Sequence, residues 1–278
     1  MATSVLAANL PDLDVLVFAS DVPSVAFRRG WTHGVLAQAV LPAALAAILF
    51  AIAKRRATAA GDAPAAFGPL LVLSYVGVLV HVFFDYLNNY GVRLLMPFSD
   101  RWFYGDSLFI IDPWLWVVLA VAVVIGSHGR VRATRTWLVV AAVYIAIMMV
   151  SARLAKGLVA EAWQREAATG VQNLMVGPVP VNPLRKALII DAGDRYYTGT
   201  FDWWGRRTSL SETTIMKNDS HPAVAEAKQD RQVAGILVWA RFPFWEIVAT
   251  SDGTRVTVRD VRFTRFGQTG FGTATVVK

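Results

Sequence analysis

The chain has 278 residues, 55% of them hydrophobic and only 17% charged, and its mean hydropathy is +0.44. The apolar residues gather in runs of about 20, the length of a bilayer-spanning helix, which excludes an ordinary cytosolic enzyme. The net charge of +7 shows no dense basic run with interleaved aromatics and so argues against a nucleic-acid partner, while the lack of cysteine excludes disulfides, thiolate ligands and a Cys nucleophile.

In chain order, Met1 to Leu10 lacks the basic start and long apolar stretch of a signal peptide and resembles the last turns of a helix. Four spans are predicted, at Val35 to Ala53, Gly68 to Leu87, Pro113 to Gly126 and Thr136 to Ala155. At about 1.5 Å per residue, 20 residues cross roughly 30 Å of hydrocarbon. Pro42 is expected to kink the first span. The third is short; it opens with Asp112 as N-cap and Pro113 at the first helical position, and either runs on to about His128 or meets a thinned bilayer.

Six cations lie in two short loops, Lys54, Arg55 and Arg56 after the first span and Arg130, Arg132 and Arg135 after the third. The opposite face mixes Arg28, Arg29, Arg93 and Arg101 with five aspartates. The positive-inside rule places the two basic loops in the cytoplasm and everything after Ala155 outside it. All eight acids before residue 156 are Asp and the first Glu is Glu161, a composition break. We therefore divide the chain into a transmembrane helical domain over 1–155, a connecting helix and Pro-rich linker over 156–182, and a small domain over 183–278. An amphipathic helix continues through Glu161 to Ala168, and Gly177-Pro178-Val179-Pro180 and Asn182-Pro183 form the linker. Strands are expected at Ala187 to Asp191, Tyr196 to Trp203, Glu246 to Thr250 and Arg255 to Phe263, with one helix over His221 to Arg231. The fold class is mainly α, a polytopic helical bundle of about four spans with a carboxyl-terminal mixed α/β extramembrane domain.

Polar residues that are costly in lipid give the sharpest functional signal. His81, Asp85 and Asn89 stack at i, i+4 steps on one face of the second span. A carboxylate and an imidazole one turn apart can share a metal ion, or can simply hydrogen-bond each other and a neighbouring helix. Asp12 and Asp14 lie just before the membrane, and His33 stands at the mouth of the first span, all on the face of His81 and Asp85 by the topology above. Convergence of Asp12, Asp14, His33, His81 and Asp85 would supply N/O ligands suited first to Zn²⁺, with Mn²⁺ and Mg²⁺ as alternatives. A free carboxylate of the Asp12/Asp14 pair could take a proton from water, and Arg93 could clamp a phosphoester through its guanidinium fork.

The segments NLPDLD (9–14), RGWTHG (29–34), HVFFDYLNNYGVRLLMPFSDRWFYGD (81–106) and IDPW (111–114) resemble the YdjM-type family of membrane-bound metal-dependent hydrolases of bacterial inner membranes. The resemblance spans roughly residues 1–155 and implies a polytopic membrane protein with a proposed metal-dependent hydrolase activity. It also implies a preceding apolar helix with an Asp-Pro-x-Thr-His motif; either a longer reading frame supplies that His, or this version binds metal less tightly. Two functions are thus expected as alternatives. One is a hydrolase acting on a phosphoester or lipid-like substrate at the outer face of the inner membrane, with membrane lipids as its surroundings. The other is a membrane interaction or transport protein whose His/Asp stripe is a packing network or ion path.

Overall fold

A computed structural model describes residues 2–61, 63, 65–167, 170–264 and 272–277. The chain forms two compact units, residues 1–86 with 90–104, and residues 87–89 with 105–278.

The first unit starts with helix α1 (Ala2–Asn9), then a 3-10 helix (Pro11–Ala19), the short α2 (Ser24–Phe27), α3 (Val35–Ala60) and α4 (Phe67–Leu87). α3 is continuous through Pro42 and stops at Gly61, whose φ of 74° suits a residue without Cβ. Proline at position 11 ends α1, because it can only begin a helix. α1 and the 3-10 helix are bent by 54° at that point. Ala7 of α1 is fully buried with Val78, Val82 and Val92. The approach needs Gly77, since a Cβ there would meet the Ala7 Cβ at 2.6 Å. Loop 90–104 closes the unit through the Val92 to Phe103 bridge, and Val35 N–H donates to the Leu94 carbonyl at 2.9 Å.

The second unit contains α5 (Pro113–Ser127) and α6 (Val131–Glu166), then strands β1 (Asn173–Pro178), β2 (Arg185–Asp191), β3 (Arg195–Asp202), β4 (Arg207–Leu210) and β5 (Ile215–Met216). Helices α7 (Pro222–Ala227) and α8 (Arg231–Trp239) follow, and β6 (Pro243–Thr250), β7 (Gly253–Asp260) and β8 (Thr273–Val277) complete the described elements. One antiparallel sheet has the order β1-β2-β3-β4 with β5 also on β3, and the other the order β6-β7-β8. Side chains of the first sheet alternate between two cores. Leu174, Val176, Leu188, Ile190 and Phe201 pack on Ala155, Val159 and Trp163 of α6. Met175, Ile189 and Tyr196 face Phe242, Phe244 and Val261.

Among the described residues three helices, α3, α4 and α6, are long and apolar enough to cross a membrane, and the bent pair of α1 and the 3-10 helix makes up to four. This changes the expected count in detail. α5 has 15 residues, about 22 Å of rise and short of a crossing by itself. Asp112 caps it as expected, accepting from the Leu115 N–H at 3.0 Å. The expected helix over His221 to Arg231 is two, because Asp230 caps a second start by accepting from the N–H groups of Gln232 and Val233. Gly177 and Pro178, expected in the linker, close strand β1 instead; at the edge of the sheet a proline needs no ladder donor. The helical continuation to Ala168 ends outside the described residues, and within them α6 reaches Glu166.

Candidate functional site

The predicted polar residues come from three stretches of the first unit. Asp12 and Asp14 sit in the first turn of the 3-10 helix, His33 in the turn before α3, and His81 and Asp85 on α4. The turn carrying His33 is set by Arg29, whose φ is 54°, and by the His33 N–H bond to the Gly30 carbonyl. Gln38 holds the turn from the far side, donating from Nε2 to the His33 carbonyl at 2.6 Å.

Three atoms converge. His33 Nε2 lies 3.0 Å from Asp85 Oδ2, and His81 Nε2 lies 3.6 Å from the same oxygen. Asp12 Oδ1 is 3.8 Å from His81 Nε2. Asp12, His33 and His81 each offer one ligand atom, all within 4.8 Å of one another. His33 is fully buried and Asp85 nearly so, whereas the Asp12 side chain is 45% exposed and forms the open side.

The second nitrogen of each imidazole is accounted for. His81 Nδ1 meets the Ala8 carbonyl at 2.6 Å; a carbonyl only accepts, so Nδ1 carries the hydrogen and Nε2 presents a lone pair. His33 Nδ1 lies 3.0 Å from Thr32 Oγ1 and 3.6 Å from Asp14 Oδ2. Imidazoles that donate one N–H to a carbonyl or carboxylate and aim the other nitrogen at a common point are the usual arrangement around a metal. His33 Nε2, His81 Nε2 and Asp85 Oδ2 are all buried, and apart from one another none has a hydrogen-bond partner. Unsatisfied buried polar atoms are costly, and a cation between them would satisfy all three. Two ligands of one tetrahedral Zn²⁺ stand about 3.3 Å apart, close to the 3.0 and 3.6 Å that separate Asp85 Oδ2 from the two imidazole nitrogens. The residues present therefore fit a divalent ion.

Asp14 and Arg93 take other positions. Asp14 is 2% exposed and accepts from Arg28 Nε at 3.1 Å and from the Arg29 N–H at 2.7 Å. It stands on the Nδ1 side of His33, away from the convergent atoms. Arg93 is 4% exposed; it donates to the carbonyls of Ala26 and Phe27, lies 5.0 Å from the Trp102 ring centroid and reaches Asp100. Burial lowers its pKa, with Asp100 opposing. Its guanidinium fills the space beside Gly30, where a Cβ would collide with it. Arg93 is thus a strut under the loop that carries Arg28, Arg29 and His33.

Sequence reasoning used Arg28 and Arg29 only to orient the chain. Arg29 Nη2 pairs with Asp85 Oδ1 at 2.9 Å and stacks 4.3 Å from the Tyr90 ring centroid. Arg28 bridges Asp14 and Asp12 at 3.1 and 3.5 Å, with a side chain 28% exposed. The available signal was that Arg29 opens RGWTHG and Arg28 precedes it.

Residues 1–155 match the family model described as YdjM inner membrane protein. Over 286 residues, covering 98% of this chain and 81% of the relative, the chain is 22% identical to the "Uncharacterized protein YfhP" of Bacillus subtilis (strain 168). No solved structure matches.

Proposed function

Since the chain belongs to the YdjM inner membrane protein family, we propose that its buried His/Asp cluster is the metal centre of a membrane-bound hydrolase acting on a phosphoester or lipid-like substrate. The observation that carries this reading is the convergence of His33 Nε2, His81 Nε2 and Asp85 Oδ2, three buried atoms with no hydrogen-bond partner but one another, behind a half-exposed Asp12.

In this reading His33, His81 and Asp85 hold the ion, Zn²⁺ first and Mn²⁺ or Mg²⁺ as alternatives, with Asp12 at its open side. A bound divalent ion supplies Lewis acidity and a water acidic enough to ionise near neutral pH. Asp12 would serve as the proton acceptor, since its carboxylate stands 3.8 Å from His81 Nε2 and is 45% exposed to water. The Thr32 hydroxyl, which donates to Asp14 Oδ2 at 3.4 Å and lies 3.0 Å from His33 Nδ1, links Asp14 to His33, and Arg29 fixes Asp85. Arg28, the cation nearest the open side, takes over the contact with anionic substrate oxygens first expected of Arg93.

Elemental analysis of detergent-purified protein tests the reading. About one divalent ion per chain is expected in the wild type, with loss in His33→Ala, His81→Ala and Asp85→Ala and retention in Arg93→Lys. Folded protein without metal would overturn it in favour of the packing network or ion path.

A further inference from the structure

α5 and α6 are antiparallel neighbours joined by a tight turn at Gly129, whose φ is 71°. Because α5 is short, its N-cap Asp112 already meets the Tyr144 hydroxyl, at 3.0 Å. The rest of the apolar run of α6, as far as Arg153, has no cover from α5. A groove of about 590 Å³ opens there, lined by Val143, Ile147, Val150 and Leu154 of α6 and roofed by Leu184 and Trp203 of the β domain. Trp203 is fixed in place, its Nε1–H donating to Ser151 Oγ at 2.7 Å. The next residue, Trp204, is 91% exposed, and the turn continues into Gly205, Arg206 and Arg207, all exposed. On the α5 side Trp114 donates to the Val181 carbonyl at 2.7 Å and is still 51% exposed.

A tryptophan left in water this completely loses most of what burial would contribute, and apolar surface of this kind marks a protein or membrane contact. Here the floor of the groove is the lipid-facing stretch of a spanning helix, so the medium that meets it is the bilayer itself. Indoles beside arginines at the end of an apolar helical run match the preference of aromatic rings for the headgroup level and of guanidinium for lipid phosphates. We propose that this groove and the β3–β4 turn form a phospholipid site: acyl chains fill the groove, Trp203 and Trp204 sit at the headgroup level, and Arg206 and Arg207 contact the phosphate of an anionic lipid. The β domain is then held on the leaflet it faces.

The chain contains no cysteine, so Trp204→Cys accepts a single environment-sensitive fluorophore in the full-length protein. In vesicles of phosphatidylcholine and phosphatidylglycerol, the label at position 204 is expected to emit blue-shifted light and to be quenched by lipids bearing a nitroxide near the headgroup. The same label in Asp252→Cys, on the exposed β6–β7 turn, is expected to do neither. A second measurement counts lipids retained on the purified protein by native mass spectrometry. The double change Arg206→Gln, Arg207→Gln should lower the preference for phosphatidylglycerol over phosphatidylcholine by roughly fivefold per arginine. A water-like, unquenched label at position 204 overturns the proposal. Shielding that disappears on dilution of protein into excess lipid also overturns it, by assigning the groove to a second copy of the chain. Unchanged lipid selectivity in the double variant overturns the headgroup assignment.

Discussion

At the residue scale, a single carboxylate shows how the site is held in register. Asp14 lies on the side of His33 away from the convergent atoms, yet it accepts from Arg28 and the Arg29 N–H and stands 3.6 Å from His33 Nδ1. Asp14→Asn retains the shape, but its amide nitrogen now opposes donors. The expected result is metal affinity reduced about 10- to 100-fold, the usual effect of losing a carboxylate that orients a ligating His. Competition titration against a chelator measures it, and unchanged affinity would remove Asp14 from the site. Lys186 of β2 is fully buried and its Nζ has no hydrogen-bond partner. Burial pushes its pKa down to about 8, with Asp112 opposing. Below about pH 8 the folded chain carries the full cost of an ammonium it cannot solvate. As pH rises from about 8 towards the ordinary lysine value of 10.5 the folded chain has released the proton while the unfolded chain still holds it, so stability rises across that window and levels off above it. Lys186→Met should therefore stabilise the protein by roughly 3 kcal/mol at pH 7, with the gain shrinking towards pH 10.5. Thermal unfolding at several pH values checks both the sign and the window.

At the element scale, α1 is attached to α4 through Gly77. Enlarging Gly77 to leucine places carbon where Ala7 already sits. Overpacking of this kind costs about 1–3 kcal/mol. It should also weaken metal binding, because displaced α1 takes the Ala8 carbonyl away from His81. Gly68→Leu, where a Cβ has open space, should do neither, and equal losses in both variants would show that helix bulk rather than the α1 contact is responsible. Elements and partners were unequally legible in the sequence. The His81/Asp85 pair was visible because helical periodicity puts i and i+4 on one face whatever the surroundings. Asp112 as a cap was visible because capping is local. The approach of α1 to α4 was not, since Ala8 and His81 are 73 positions apart and a Gly–Ala contact leaves no periodic signature. Asp14 and Arg93 were placed by residue type as ligand and clamp, and only packing shows Asp14 paired with Arg28 and Arg93 bonded to the Ala26 and Phe27 carbonyls. Strand β1 was missed because Gly177 and Pro178 read locally as breakers, while pairing with β2 determines their state.

Across the whole molecule, one helix has two environments. α6 has 36 residues, about 54 Å of rise, well beyond a hydrocarbon thickness of roughly 30 Å. Its carboxyl-terminal half supplies Ala155, Val159 and Trp163 to the core beneath the first sheet. The composition break near residue 155 was expected to end the transmembrane domain, and α6 runs through it without interruption. The positive-inside rule predicts the cytoplasm for Lys54, Arg55 and Arg56 near the end of α3 and for Arg130, Arg132 and Arg135 at the start of α6, and both groups can lie there only if α5, with its 15 residues, crosses a thinned bilayer. A cysteine at the exposed Ser220 should accordingly react with a membrane-impermeant maleimide in intact spheroplasts. A cysteine at the exposed Thr58 should react only after lysis. The reverse pattern would invert the orientation and move the β domain to the cytoplasm.

The break between α1 and the 3-10 helix leaves the Ala8 carbonyl to be satisfied from outside its own helix, and an imidazole of the cluster does so. In the proposed metal centre, ion capture and ordering of the amino-terminal segment would become one thermodynamic linkage, since an occupied His81 would be held where it donates to that carbonyl. Backbone amides of Leu6 to Asn9 should exchange with deuterium faster once a chelator has stripped the protein, while those in the β sheets keep their protection.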